Sequence, residues 1–280
     1  MRKVMMAAVA AMVVTPALGE GQEWRDVTMS QQLESNDELR VQVEYKAGRF
    51  TVRSVDNGLL YRMNLRHDED HFEPVAELSG DRLRIGVESV GRNMSVRNRE
   101  AGELDLELAR GLPMELDLEF GAVKADIDLA GLALLDLDLS TGASESQVTI
   151  SEPNPVPMEM ASFEAGAAKF EAHQLGNLNT ERIRVDAGVG SIVLGFGGRW
   201  ERDARVSIDI GLGALELRIP EGLGVRLRKD SFLTALDSEG LIKRGDVYES
   251  LDYDDADYRI DIDVDAAFGS VSVVWIHPDN

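Results

Sequence analysis

The chain of 280 residues contains no cysteine. No disulfide can brace it, and no thiolate can act as nucleophile or metal ligand. Aromatic residues make up only 6% of it, and it has four histidines. So few rings leave little from which to build a stacking platform for sugars or bases. Basic residues are the scarcer charge, 29 Lys and Arg against 51 Asp and Glu, giving a formal charge of −22. That field repels phosphate backbones and anionic bilayers, so no nucleic-acid partner is expected. It attracts cations and cationic proteins, although adaptation to salt or plain solubility accounts for the same composition. No run after residue 20 is long and apolar enough to cross a bilayer, so no integral membrane anchor is expected. Gly-x-Ser-x-Gly and P-loop motifs are missing. Gly188-Val189-Gly190 and Gly211-Leu212-Gly213 lack the third glycine of a dinucleotide fingerprint.

What is present begins with an export signal. Arg2 and Lys3 supply a positive start, Val4 to Val14 is apolar, and Ala17-Leu18-Gly19 places small residues where a signal peptidase reads. Residues 1–19 are therefore expected to be cleaved near Gly19, and the destination is extracytoplasmic: periplasm, cell surface or medium. No cysteine follows to carry a lipid. Losing Arg2 and Lys3 takes the formal charge from −22 to −24.

The central feature is a repeat. Segments aligned on Gly121, Gly142, Gly166, Gly188, Gly211 and Ala267 share one pattern. Three residues before that position stand Leu118, Leu139, Phe163, Val185, Ile208 and Val264; four after it stand Ala125, Ser146, Phe170, Ile192, Leu215 and Val271. Polar residues alternate between these columns, as in strands with one buried face on either side of a corner. A period in the low twenties indicates a solenoid, whose units hide their apolar faces only by stacking. The corner glycines are expected to take positive φ, with a second small residue two places on, at Gly190, Gly213 and Gly269. Ala267 marks a terminal or relaxed corner. The fold class is all-β: a β-solenoid, specifically a right-handed single-stranded β-helix, with a β-sandwich as the alternative. Three regions follow the leader: a small β unit at 20–100, a β-helical domain at 101–280, and within it an insertion at 229–257 that covers the open end. Val43 to Val52 fits the same template, with Gly48 at its second small position.

Four sets of residues carry candidate chemistry. His67 and His71, with carboxylates between them, have metal-ligand character but read as a solvated loop. Asp252, Asp254, Asp255 and Asp257 offer hard oxygens suited to calcium without the order of an EF-hand loop, so no cofactor is expected beyond a weak calcium candidate. Two places before each corner lie Glu119, Ser140, Glu164, Asp186, Asp209 and Asp265. Stacked in register, the five acids form a ladder that a cationic peptide or protein would relieve, although outward charges also serve simply to prevent aggregation. Paired carboxylates could also serve a carbohydrate-active β-helix enzyme beside Trp24, Trp200 or Trp275.

VEYKAGRFTVRSVDNGLLYRMNLRHDEDHFEPVAELSGDRLRIGVE resembles the N-terminal domain of toast-rack proteins. The stretch from about Ala165 to Trp275, with VDAGVGSIVLGF and IDIGLGALELRIPEGLGVRL, resembles the C-terminal domain of cell-wall-antibiotic-response (LiaF-like) proteins and adhesin-like envelope β-helices. The resemblance implies a non-enzymatic envelope module linked to adhesion, scaffolding or envelope stress, with no catalytic residues to carry over. Partners implied are an envelope component or a cationic peptide or protein, and exposed coil ends leave self-association open.

Overall fold

Alternation of inward apolar and outward polar residues decides every long element here. The computed structural model describes residues 11–12, 23–90 and 102–277. The leader expected at 1–19 lies outside these, apart from its two residues in β1. In chain order the strands are β1 (Ala11–Met12), β2 (Trp24–Gln32), β3 (Leu39–Val55), β4 (Leu59–Asp68), β5 (Phe72–Ser79) and β6 (Arg82–Ser89). There follow β7 (Gly102–Ala109), β8 (Pro113–Asp128), β9 (Ala133–Thr141), β10 (Glu145–Thr149), β11 (Ala161–His173) and β12 (Arg182–Gly195). The last are β13 (Ala204–Pro220), β14 (Gly224–Asp237), β15 (Leu241–Arg244), β16 (Val247–Ser250) and β17 (Arg259–Ile276).

These strands stack as a β-solenoid. β3, β8, the β9–β10 pair, β11, β12 and β13 lie parallel and in register, each forming one rung. The continuous parallel register excludes the β-sandwich. Inward residues three before the corner, from Val43 and Leu118 to Ile208 and Val264, are buried. Four after it, Phe50 stacks beside Ala125, and Ser146 beside Phe170, so large and small residues share the interior. Phe163 and Phe170 meet inside one rung with ring centroids 5.5 Å apart. Burying each such side chain contributes about 1.5–3 kcal/mol.

At one end β6 and β7 pair parallel with the two halves of β3, while β4 runs antiparallel between β7 and β2. These strands cover the outer edge of the first rung. The other end departs from sequence order. β13 pairs with β17, and β17 pairs in turn with β14. The chain therefore lays down β14 one rung away, turns back through the β15–β16 hairpin, and fills the vacant slot with its last strand. Ile260, Ile262 and Val264 seal that slot with 0–2% exposure. Ala267 thus stands in an internal rung rather than a terminal corner. The expected insertion at 229–257 contains most of a further rung, because residues 229–237 of β14 continue its parallel pairing with β17. Among the described residues of the break between β10 and β11, Asn154 takes the place of a ladder. Its side chain donates to the carbonyls of Leu134 (2.8 Å) and Leu178 (3.1 Å) and accepts from the Leu134 amide (3.0 Å).

The corners hold a correction. Positive φ falls on the second small residue, at Gly48 (132°), Gly190 (152°), Gly213 (156°) and Gly269 (139°), and not on the glycine two places earlier. The earlier column needs glycine for space instead. A Cβ on Gly211 would lie 2.6 Å from the Gly188 carbonyl oxygen, and one on Gly188 would lie 2.7 Å from that of Gly166. Both obstacles are backbone and cannot swing aside. At Gly142 the nearest such atom is 3.4 Å away. Gly211→Ala is therefore expected to cost about 2 kcal/mol or more, and Gly142→Ala less than about 1 kcal/mol, in denaturant unfolding. Equal costs at the two positions would show that close approach of the rungs does not select the glycine.

Candidate functional site

The corner column sets the most continuous feature of the surface. Two residues before each corner, Glu119 stands opposite Ser140, Ser140 opposite Glu164, Glu164 opposite Asp186, Asp186 opposite Asp209 and Asp209 opposite Asp265. The structure adds a member at each end: Glu44 pairs with Glu119, and Asp230 with Asp265. Glu44 could have been found by extending the Val43–Val52 template. Asp230 is hidden in sequence because its rung carries Phe232 where most rungs carry glycine.

The ladder forms one wall of an open groove of about 720 Å³ that runs along the stack. Its floor is the corner column, glycine from Gly121 to Gly211 and bounded by Lys46 in β3 and Ala267 in β17. Tyr45 and Thr141 line it as well; they are 4% and 7% exposed, and neither hydroxyl has a hydrogen-bond partner among the described residues. Beside the floor, one residue after each corner, Val189, Leu212 and Phe268 follow one another in register. They are 51%, 49% and 48% exposed. The sequence signal was available: an outward position that reads Ala122, Ala143 and Ala167 turns to large apolar residues in the next three rungs. Alternation alone marks it as solvent-facing and gives no reason to look further.

The remaining candidates are placed differently from the ladder. His67 and Asp68 end β4 and are 4% and 3% exposed, so that half of the cluster is a buried strand end and not a solvated loop. His71 Nδ1 lies 3.1 Å from Asp68 Oδ2. Burial, reinforced by Arg25, holds the His67 imidazole below its ordinary pKa. Asp252, Asp254, Asp255 and Asp257 sit around the turn between β16 and β17, where the Asp255 amide bonds the Asp252 carbonyl at 3.1 Å. Among the described residues no three His, Asp or Glu side chains are arranged to hold a metal ion. None of the three tryptophans lines the groove. Trp200 is core, bonded to the Phe196 carbonyl at 2.8 Å, and Trp24 lies under Arg66.

Crowded carboxylates leave an electrostatic mark. Asp117, Asp136 and Asp138, two or more columns from the corner, all titrate above the ordinary carboxylate range. Partial burial is the main cause in each, followed by Asp138 at Asp117, Glu159 at Asp136 and Glu164 at Asp138. Asp209 in the ladder is raised by burial, then by Asp186 and Asp265. A carboxyl with a raised pKa binds its proton more tightly in the folded chain than in the unfolded one. Its penalty is therefore complete above the raised pKa and disappears as pH falls toward the unfolded value near 3.8. His67 acts in the opposite sense below about pH 6.5, so the informative comparison is between variants. Asp136→Asn with Asp138→Asn is expected to raise the melting temperature at about pH 7.5 and to lose that advantage by about pH 4. A variant that melts with the wild type at every pH would show these carboxyls to be indifferent neighbours.

Comparison with known proteins comes to bear here. No curated protein matches the sequence. Among solved structures, a "putative cell adhesion protein" from Clostridium sporogenes ATCC 15579 aligns with 91% of this chain and 100% of its own, at 15% identity and a TM-score of 0.42. A "putative adhesin" from Parabacteroides merdae ATCC 43184 aligns over 92% and 98%, at 9% identity and a TM-score of 0.40. A "putative lipid binding protein" from Parabacteroides distasonis ATCC 8503 aligns over 92% and 97%, at 11% identity and 0.36. The family model described as "N-terminal domain of toast_rack, DUF2154" matches residues 19–171. With more than half of its length matched by that model, and with the stacked coils just described, the chain belongs to the toast-rack family.

Proposed function

We propose that the protein is an exported, non-catalytic binding scaffold of the cell envelope, adhesin-like in its use of a long rigid surface. The observation that carries this reading is the column of outward carboxylates, broken only by Ser140, that stands in register beside an open groove from β3 to β17. Such a surface suits contact with an elongated partner along many equivalent rungs. Catalysis by acid and base instead needs groups held apart in distinct environments, with different pKa values, about a single reacting bond. The ladder gives like groups in like environments. A carbohydrate-active enzyme would also place aromatic rings along its cleft, and here Tyr45 and Phe120, the rings that line the groove, are buried. The apolar leader at residues 1–19 supports export, and the names of the adhesin structures agree with an envelope role.

The test is localisation and activity together. Expressed whole in a bacterial host, the protein is expected outside the cytoplasm with its amino terminus near Glu20, whereas a form lacking residues 1–19 stays in the cytoplasm. The purified mature form is expected to leave plant and bacterial polysaccharides intact. Cytoplasmic retention of the whole chain would remove the envelope role, and release of reducing ends would restore the enzyme.

A further inference from the structure

We propose that β2 is a docking edge at which the mature chain pairs with a second copy of itself, the two β2 strands running antiparallel across a twofold axis at Thr28. The proposal rests on the export reading, which removes residues 1–19, and gives the scaffold a partner. Along one edge β2 pairs with β4 over its whole length. On its other edge the described residues place Ala11 and Met12 of the leader alone, antiparallel and opposite Thr28 and Val27. This edge therefore accepts a strand, and cleavage takes that strand away. A chain beginning near Glu20 keeps residues 20–23 ahead of Trp24, too few to turn back as far as Val27 and Thr28.

The backbone of that edge is laid out for self-pairing. The Glu69 amide donates to the Glu23 carbonyl at 3.0 Å, so in this antiparallel ladder Arg25, Val27 and Met29 turn their N–H and C=O groups toward β4. Asp26, Thr28 and Ser30 turn theirs away. Pairing centred on Thr28, the middle of β2, sets Thr28 opposite Thr28, Asp26 opposite Ser30 and Arg25 opposite Gln31, so no like charges meet. It also sets Val27 opposite Met29, two apolar side chains that the single chain leaves partly exposed. Strand edges are normally blunted by lysine, proline, bulges or a covering segment. The far end of the stack uses two such devices: β16 covers Arg226–Arg228 of β14, and Lys229 stands in the inward column opposite Val264. β2 has no lysine, proline or glycine, and its one bulge, between Gln31 and Gln32, lies at its end. β2 and β4 together carry Arg25, Arg62 and Arg66 against Asp26 and Asp68, so this edge lacks the acidic excess of a chain whose formal charge is −22.

The experiment follows the mature protein, residues 20–280, by sedimentation velocity. An interface of two short strands is small, so a dimer with a Kd on the order of 10–100 µM is expected. The two acidic chains repel as wholes, so the dimer is expected to tighten about threefold or more between about 0.05 and 0.5 M NaCl. An association of the acidic ladder with a basic patch would weaken instead. Hydrogen exchange at the Asp26, Thr28 and Ser30 amides is expected to slow as concentration rises, while the other β2 amides do not change. Thr28→Pro removes an N–H that the β4 ladder does not use, and is expected to weaken the dimer about tenfold or more. Thr28→Ala keeps that N–H and is expected to stay within about twofold of the wild type. Melting curves check that the variants fold, and the exchange measurement needs no variant. A mature chain that remains monomeric at about 500 µM would overturn the proposal. So would a dimer that weakens with salt, survives Thr28→Pro in a folded variant, or leaves the three amides unchanged. An exported chain whose amino terminus lies far from Glu20 defeats the export reading, whereas a correctly trimmed chain that stays monomeric defeats this proposal alone.

Discussion

Rungs of a parallel stack sit about 4.8 Å apart, and at each corner the backbone of one rung is pressed against the carbonyl of the rung below. Everything else in this protein accommodates that contact. At the Gly166, Gly188 and Gly211 corners a side chain has no room, because the Gly142, Gly166 and Gly188 oxygens of the preceding rungs occupy the space, whereas Lys46 and Ala267 stand in the same column in β3 and β17. The glycine column, the near-constant length of the units and the in-register pairing are one constraint seen three ways. The second glycine, where present, answers a different demand. At Gly190 and Gly213 the backbone turns into the left-handed region as well as passing close to its neighbour, while Val123 and Ala168 occupy that position in rungs whose bends are less extreme.

Register transmits identity as well as spacing. Like residues stacked in the interior are an advantage, since columns of Leu, Val, Ile and Phe interlock with small partners where a ring needs room. Like residues stacked outside are a cost when they carry charge. Two carboxylates at the rung spacing repel by roughly 0.9 kcal/mol in water, less with salt. Across most of the face the sequence relieves this by alternating sign, as in the Arg228–Asp263 and Arg226–Asp261 pairs. Asp117, Asp136 and Asp138, whose pKa values are raised first by burial and then by neighbouring carboxylates, lie where that relief is thin. Stability therefore comes from the inner columns and is partly spent on the outer ones.

This division also explains what could be read from the sequence and what could not. Alternation and glycine spacing place the strands, the corner column and the acidic ladder, because each depends on residues within one unit. Order between units is another matter. Nothing within β17 says that it lies between β13 and β14, since any apolar rung can stack on any other; that placement follows from two edges competing for one strand. β14 escaped notice because Phe232 replaces the glycine by which a rung is recognised. His67 misleads for a related reason. A run of charged residues between apolar segments looks like a loop, yet the strand continues two residues into it and buries both His67 and Asp68.

The two ends of the ladder differ in a way that bears on function. From β3 to β11 the residue just past the corner is alanine, and the groove is bounded by acids on one side and little on the other. From β12 to β17 the same position holds valine, leucine and phenylalanine, increasing in size rung by rung. Packing cannot demand this, because these side chains are about half exposed. Corner geometry cannot demand it either, because alanine serves the same position elsewhere in the stack. An exposed apolar side chain is unremarkable singly, but three adjacent ones, on the rungs that also carry Asp186, Asp209 and Asp265, form an apolar patch with acids close by.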